Sequence, residues 1–174
     1  MKSTAEDIYA ALFQQICTIN TPAPGAAVSQ TPLNVMSRRW RKWDESGLLF
    51  PAFYQMELGI DNSQEKSPRG FGPQRYTLKA LLFFYFEVDV ADTINPISPT
   101  LNLYYNAIDL AMQPTIISGI AGPNQKPNQM QSARQQLGGN VGIEHAYIDG
   151  VTQFDEGLVN PPAMLVVPIT IISG

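Results

Sequence analysis

Chemistry at a protein site needs reactive groups that converge, and this chain offers few. It contains one histidine, His145, and one cysteine, Cys17. A Ser–His or Cys–His nucleophile pair would have to draw on these two residues. No Gly-x-Ser-x-Gly elbow accompanies them. His145 falls in an alternating stretch that reads as a strand, which makes it a structural histidine. A metal there would need a carboxylate such as Glu144 or Asp149. Adjacent strand positions point to opposite faces, so His145 and Glu144 do not share an ion. A single cysteine excludes an internal disulfide and a multi-cysteine metal site. The run Leu137-Gly138-Gly139-Asn140-Val141-Gly142 lacks the Gly-Lys-Ser/Thr ending of a phosphate loop and leads into a strand, not a helix. The 15 acidic residues show no spacing that marks a catalytic carboxylate pair. The expectation is a protein without catalytic, cofactor or metal residues, and not an enzyme.

Two segments look built for contact. Ser37-Arg38-Arg39-Trp40-Arg41-Lys42-Trp43 packs four cations and two indoles into seven residues. Cations interleaved with aromatics can bind nucleic acid. Arg and Trp together also mark protein interfaces. A third reading is a short amphipathic helix that buries Trp40 and Trp43 and solvates its cations. The second segment, residues 61–74, is polar and holds Lys66, Arg69 and a single large apolar residue, Phe71. It cannot build a core of its own, and ordering each backbone residue costs roughly 1–2 kcal/mol. It is expected to order against a partner, with Phe71 as anchor and Lys66 and Arg69 facing an acidic surface.

These segments hang on a small set of elements. Thr4 with Asp7, or Ser3 with Glu6, forms a capping box, and Ile8, Leu12, Ile16 and Ile19 follow at helical spacing. Cys17 widens that stripe and reads as a small core residue. Residues 48–59 predict a strand with Pro51 near its start. Residues 75–89 predict a long one, with Leu78, Ala80, Leu82, Phe84 and Phe86 on one face. Its other face is polar at the ends and apolar in the middle, so both faces are expected to be covered there. Ser98 as cap and Pro99 at the first position open a second helix with a Leu101, Tyr104, Tyr105, Ile108, Ala111, Met112 stripe. Residues 141–148 predict one strand, with Val141, Ile143, His145 and Tyr147 on a common face. Residues 163–172 predict another, which Pro168 confines to an edge or a bulge. Long loops are expected at about 20–36, 61–74 and 113–136. The order points to a single α+β domain with a mixed or antiparallel sheet and helices packed on it.

Composition narrows the class. Of 174 residues, 44% are hydrophobic and only 15% charged, against roughly 25% charged in ordinary soluble domains. With 14 Pro and 13 Gly, this suggests long loops and surfaces that partners cover. A net charge of −4 and a pI near 4.9 argue against coating DNA. The first residues lack the apolar core of a signal peptide. The apolar stretches around 80–86 and 163–172 are too short to span a bilayer as helices. A soluble, intracellular protein is expected.

The C-terminal third carries a resemblance. Leu137-Gly138-Gly139-Asn140-Val141, then His145, Ile148-Asp149-Gly150, Glu156-Gly157 and Pro168-Ile169-Thr170-Ile171 resemble tail-terminator (tail-completion) proteins of tailed phages. Arg38-Arg39-Trp40 ahead of Pro51-Ala52-Phe53 resembles that family's basic stretch before a Pro-Ala strand. The likeness runs over roughly residues 5–172 and rests on the order of short motifs. It implies a homo-hexameric ring on the head-proximal end of the tail tube, which stops tube growth and offers a face to the head–tail connector protein. The implied partners are other copies of the chain, the tube protein and the connector. DNA would pass through the lumen without specific binding; six subunits of −4 would total −24. The implied location is the virion tail, assembled in the host cytoplasm. The partner-binding candidates are Arg38, Arg39, Trp40, Arg41, Lys66, Arg69 and Phe71. The competing reading is another tail or neck component, a tube subunit or a head–tail joining protein.

Overall fold

The computed structural model describes residues 4–20, 33–42, 47–61, 77–89, 91, 97–113, 135–137, 141–143, 145–157 and 162–173. In chain order these form α1 (Ala5–Cys17) with a 3-10 turn (Thr18–Asn20), β1 (Val35–Ser37), β2 (Ala52–Asp61) and β3 (Thr77–Phe86). Then come α2 (Ser98–Met112), β4 (Gln135–Leu137), β5 (Val141–Ile143), β6 (His145–Ile148), β7 (Gln153–Asp155) and β8 (Ala163–Ile172). The main sheet runs β1-β2-β3-β8-β6, with β7 also on β8; β4 and β5 pair separately. Among the described strands only the β1–β2 pair is parallel. The fold is α+β: a mixed six-stranded sheet with both helices packed on it.

α1 starts where its capping box says it should. Thr4 Oγ1 accepts from the Asp7 amide at 3.2 Å, and Asp7 Oδ2 accepts from the Thr4 amide at 2.8 Å. Reciprocal capping satisfies two otherwise orphaned donors. Hydrogen bonds from Thr4 hold the Asp7 carboxyl below its ordinary range. The stripe Ile8, Leu12 and Ile16 is buried against the sheet. An aromatic series then crosses the core from helix to helix. Phe13 stacks on Phe53 at 5.6 Å, Phe53 on Phe84 at 4.8 Å, and Tyr104 of α2 meets Phe84 at 5.7 Å and Phe86 at 4.9 Å. Such pairs contribute about 0.5–1.5 kcal/mol each beyond their burial.

The alternation in β3 sorts as its sequence indicates. Leu78, Ala80, Leu82, Phe84 and Phe86 are buried on the helix side. On the other face Tyr85 is buried among Ala52, Tyr54, Trp40, Leu48, Phe50 and Met164. The middle of β3 is therefore covered on both sides. Between Glu57 and Gly59 the β2–β3 register slips by one residue, with Gly59 at φ +116°. That bulge is tied to α1, because the Tyr9 hydroxyl lies 2.8 Å from Gly59 O and 3.1 Å from Lys79 O.

Several expectations are corrected. Ser98 is not the cap of α2: Ile97 occupies that position with no side-chain cap, and the Ser98 hydroxyl donates to Glu156 instead. The stretch 141–148 is two strands, not one. Val141–Ile143 pairs with Gln135–Leu137, whereas His145–Ile148 joins the main sheet. The burial phase flips between them. Ile143 is buried, but beyond it Ala146 is the buried residue and His145 is exposed. The reason is register, since Ala146 and Ile148 lie opposite Ile171 and Ile169 of β8. The expected loops at 20–36 and 113–136 end in strands, with Val35 and Met36 in β1 and Gln135 and Gln136 in β4.

Pro168 occupies neither an edge strand nor a bulge. It lies inside β8, with β3 paired continuously along one side. On the other side β7 pairs residues 164–166 and β6 pairs 169–172. The Asp149 amide donates to Pro168 O at 3.0 Å. In an extended strand a residue's N and O point the same way, so the missing N–H faces the gap between β6 and β7. No ladder donor is lost.

Candidate functional site

The contact residues predicted from sequence divide sharply. Arg38 leaves the end of β1 and reaches across the sheet edge to α1. Its Nη1 lies 2.5 Å from Glu6 Oε1 and its Nη2 3.0 Å from Glu6 Oε2. Its Nε lies 2.9 Å and its Nη2 2.5 Å from Glu57 Oε1 of β2. One planar fork thus joins α1, β1 and β2, a geometry a lysine could not reproduce. The hydrogen bond from Arg38 holds the Glu6 carboxyl below its ordinary range. The Glu6 contact in turn pushes the Arg38 guanidinium further toward its charged form.

Trp40 turns to the opposite face of the sheet and lies 5.5 Å from the Phe83 ring. Its indole Nε1 is buried without a partner among the described residues, as is Oε1 of the fully buried Gln55. Gln55 Nε2 donates to Tyr9 O at 3.0 Å, which fixes that amide's orientation. The Arg41 carbonyl accepts from the Tyr85 hydroxyl at 3.3 Å. Arg39 is exposed. The described part of this segment, residues 38–42, holds no helix, so the amphipathic-helix reading of it does not hold. Trp43, Lys66, Arg69 and Phe71 lie outside the described residues.

A second site escaped sequence reading. A cleft opens between α2 and the β6–β7 segment, lined by Tyr105, Asn106, Asp109, His145, Tyr147 and Phe154 among others. His145 stacks on Tyr147 at 5.1 Å, and Tyr105 meets Phe154 edge-on at 5.8 Å. Leu110, Val151 and Phe154 are exposed although large and apolar. The sequence signal was present but weak: residues 102, 105, 106, 109 and 113 follow helical spacing on the flank of the α2 stripe. Cys17 is half-buried against the core, and burial pushes its thiol up, which suits packing rather than nucleophilic attack. Among the described residues no three His, Cys, Asp or Glu side chains gather into a metal site. Among them also, no helix is long and apolar enough to cross a membrane.

No known family profile matches the chain, and no curated protein matches it.

Proposed function

We propose that this chain is a structural assembly protein of a phage tail, which caps the tube as a hexameric ring and presents the head-joining face. The observation that carries the reading is the ordered set of motifs in the C-terminal third. Its described members lie in strands or in the segments that join them. Val141 lies in β5, and Ile148 ends β6. Glu156 and Gly157 turn from β7 toward β8, and Pro168 to Ile171 form the body of β8. Residues spent on strand pairing suit a protein whose work is contact; His145, Ile148 and Gly150 of the same set also line the cleft beside α2. The exposed apolar residues Leu58 and Ile60 on β2, and Leu110 and Phe154 about α2 and β7, give such contact candidate surfaces.

The test is tube length. Tube protein polymerised with this chain should give tubes of limited length that still accept connectors, and a deletion phage should make tails of abnormal length that fail to join heads. Normal, head-joined tails in the deletion mutant sink the reading. Long tubes formed by the purified chain itself would make it a tube subunit.

A further inference from the structure

We propose that copies of this chain join head to tail. The cationic edge beside β1 of one copy seats against the anionic face that α2, β6 and β7 form on the next. The proposal rests on the ring reading above and names the ring's contact surfaces. Its basis is the distribution of charge. Among the described residues, every Lys and Arg except Lys79 lies in the run Arg38, Arg39, Arg41, Lys42. Residues 98–113 and 145–157 carry Asp109, Asp149, Asp155 and Glu156, and no Lys or Arg.

The two regions lie on opposite sides of the sheet. β1 forms one edge and β6 the other, with β2, β3 and β8 between them. Four strand spacings of about 4.8 Å separate the edges by about 19 Å. A patch and its complement on opposite sides cannot meet within one subunit. They meet between copies, in a heterologous contact that closes into a ring or runs on as a fibre. Arg38 is already matched by Glu6 and Glu57, whereas Arg39 is exposed on that edge. Asp44 and Glu45 follow the run in sequence and lie outside the described residues. On the anionic side Asp109 and Asp155 are exposed beside Leu110, Val151 and Phe154. The cationic side has its own exposed apolar residues, Met36 and Leu49. Apolar area supplies the attraction, and the charges set partner and direction.

The test exploits the even number of subunits. One variant carries Arg39→Glu, the other Asp109→Lys and Asp155→Lys. Each alone opposes like charges at every contact and should associate at least about tenfold more weakly than wild type in sedimentation. Mixed one to one, each variant's altered surface meets its complement, so an alternating six-membered ring should form again. Asp155 accepts from the Gly157 amide at 2.9 Å; if its replacement lowers the melting temperature, Asp109→Lys alone takes its place. The proposal is overturned if either variant assembles as wild type does, if the mixture stays monomeric, or if it stops at dimers, which would mark a self-complementary contact. It is also overturned by a wild type that never self-associates, alone or on tubes. Swap-insensitive rings that still limit tube length would sink this contact and leave the ring reading. Charge-dependent rings that leave tube length uncontrolled would do the reverse.

Discussion

Replacing Gly157 tests how tightly the β7–β8 connection is built. A Cβ there would lie 2.6 Å from the Ala163 amide nitrogen, 2.8 Å from the Pro162 carbonyl carbon and 3.0 Å from Ala163 Cα. All three are backbone atoms, so no side chain can swing aside. Restoring an ordinary contact of 3.4 Å requires a shift of roughly 0.8 Å at the first residue of β8. Ala163 is fully buried and paired with Phe86, so the shift propagates into the sheet. Forcing backbone movement in a packed region costs about 1–3 kcal/mol. The left-handed conformation, φ +69°, adds about 1–2 kcal/mol for a residue with a Cβ. Gly157→Ala should therefore destabilise by about 2–5 kcal/mol, read as a lower urea midpoint with an unchanged slope. Gly157→Asn separates the two causes. Asn tolerates the left-handed region, so it recovers stability only if strain dominates; the close contact predicts that it is no better than Ala. Gly59→Ala, at φ +116° with nothing within 4 Å of the added Cβ, isolates strain and should cost about 1–3 kcal/mol. A loss below about 1 kcal/mol for Gly157→Ala, or near-wild-type stability for Gly157→Asn, refutes the reasoning.

Tyr9→Phe removes the hydroxyl that ties α1 to the β2 bulge and should cost about 1 kcal/mol; no change in the urea midpoint would show that water replaces the contact freely. Burial raises the Tyr104 phenol from 10.0 to about 12. The stability linked to its protonated form is complete below pH 10 and is lost as pH climbs through about 12, on the order of 3 kcal/mol. Tyr104→Phe should flatten that alkaline decline in pH-dependent melting, leaving the smaller same-direction contribution of Tyr9, whose phenol is also raised by burial. Arg38→Ala and Arg38→Lys should both lower the denaturant midpoint, less so in high salt, whereas Arg39→Ala should leave it within about 0.5 kcal/mol of wild type; equal effects at the two positions would erase the division between inward and outward arginine.

Legibility followed length and period. α1 and β3 repeat their patterns over 10 residues or more, long enough for face assignment to survive, and β8 is a ten-residue, almost wholly apolar run. β1, β4 and β7 have three residues each and show no period at all. The flip between Ile143 and His145 was hidden because the alternation of Val141, Ile143, His145 and Tyr147 runs through it unbroken in the sequence; only pairing with β8 decides which parity faces inward. Pro168 misled because the rule about edges concerns the side a missing N–H faces, and an inner strand can have a local gap. The Arg38 fork was invisible for a different reason. Its partners lie 32 and 19 residues away in the chain, and no local spacing joins them.

That fork also explains why the basic segment is not a helix. Pairing of Val35–Ser37 beside Ala52–Tyr54 commits the chain to an extended path at the sheet edge. Arg38 continues that path to reach Glu57, and a helix begun at Ser37 would break both the parallel ladder and the fork. The bend at Arg38 and Arg39 then sends Trp40 to the face the helices leave open, where Tyr54, Tyr85 and Phe83 need cover. Three neighbouring residues thus acquire three roles: Arg38 clamps the edge, Trp40 covers the second face, and Arg39 faces outward. A count of cations in the segment overstates what it can offer a partner, because at least one of the four is matched inside the subunit. The binding capacity of this edge therefore depends on Arg39 and the exposed residues around it, so the charge exchange there separates association from folding.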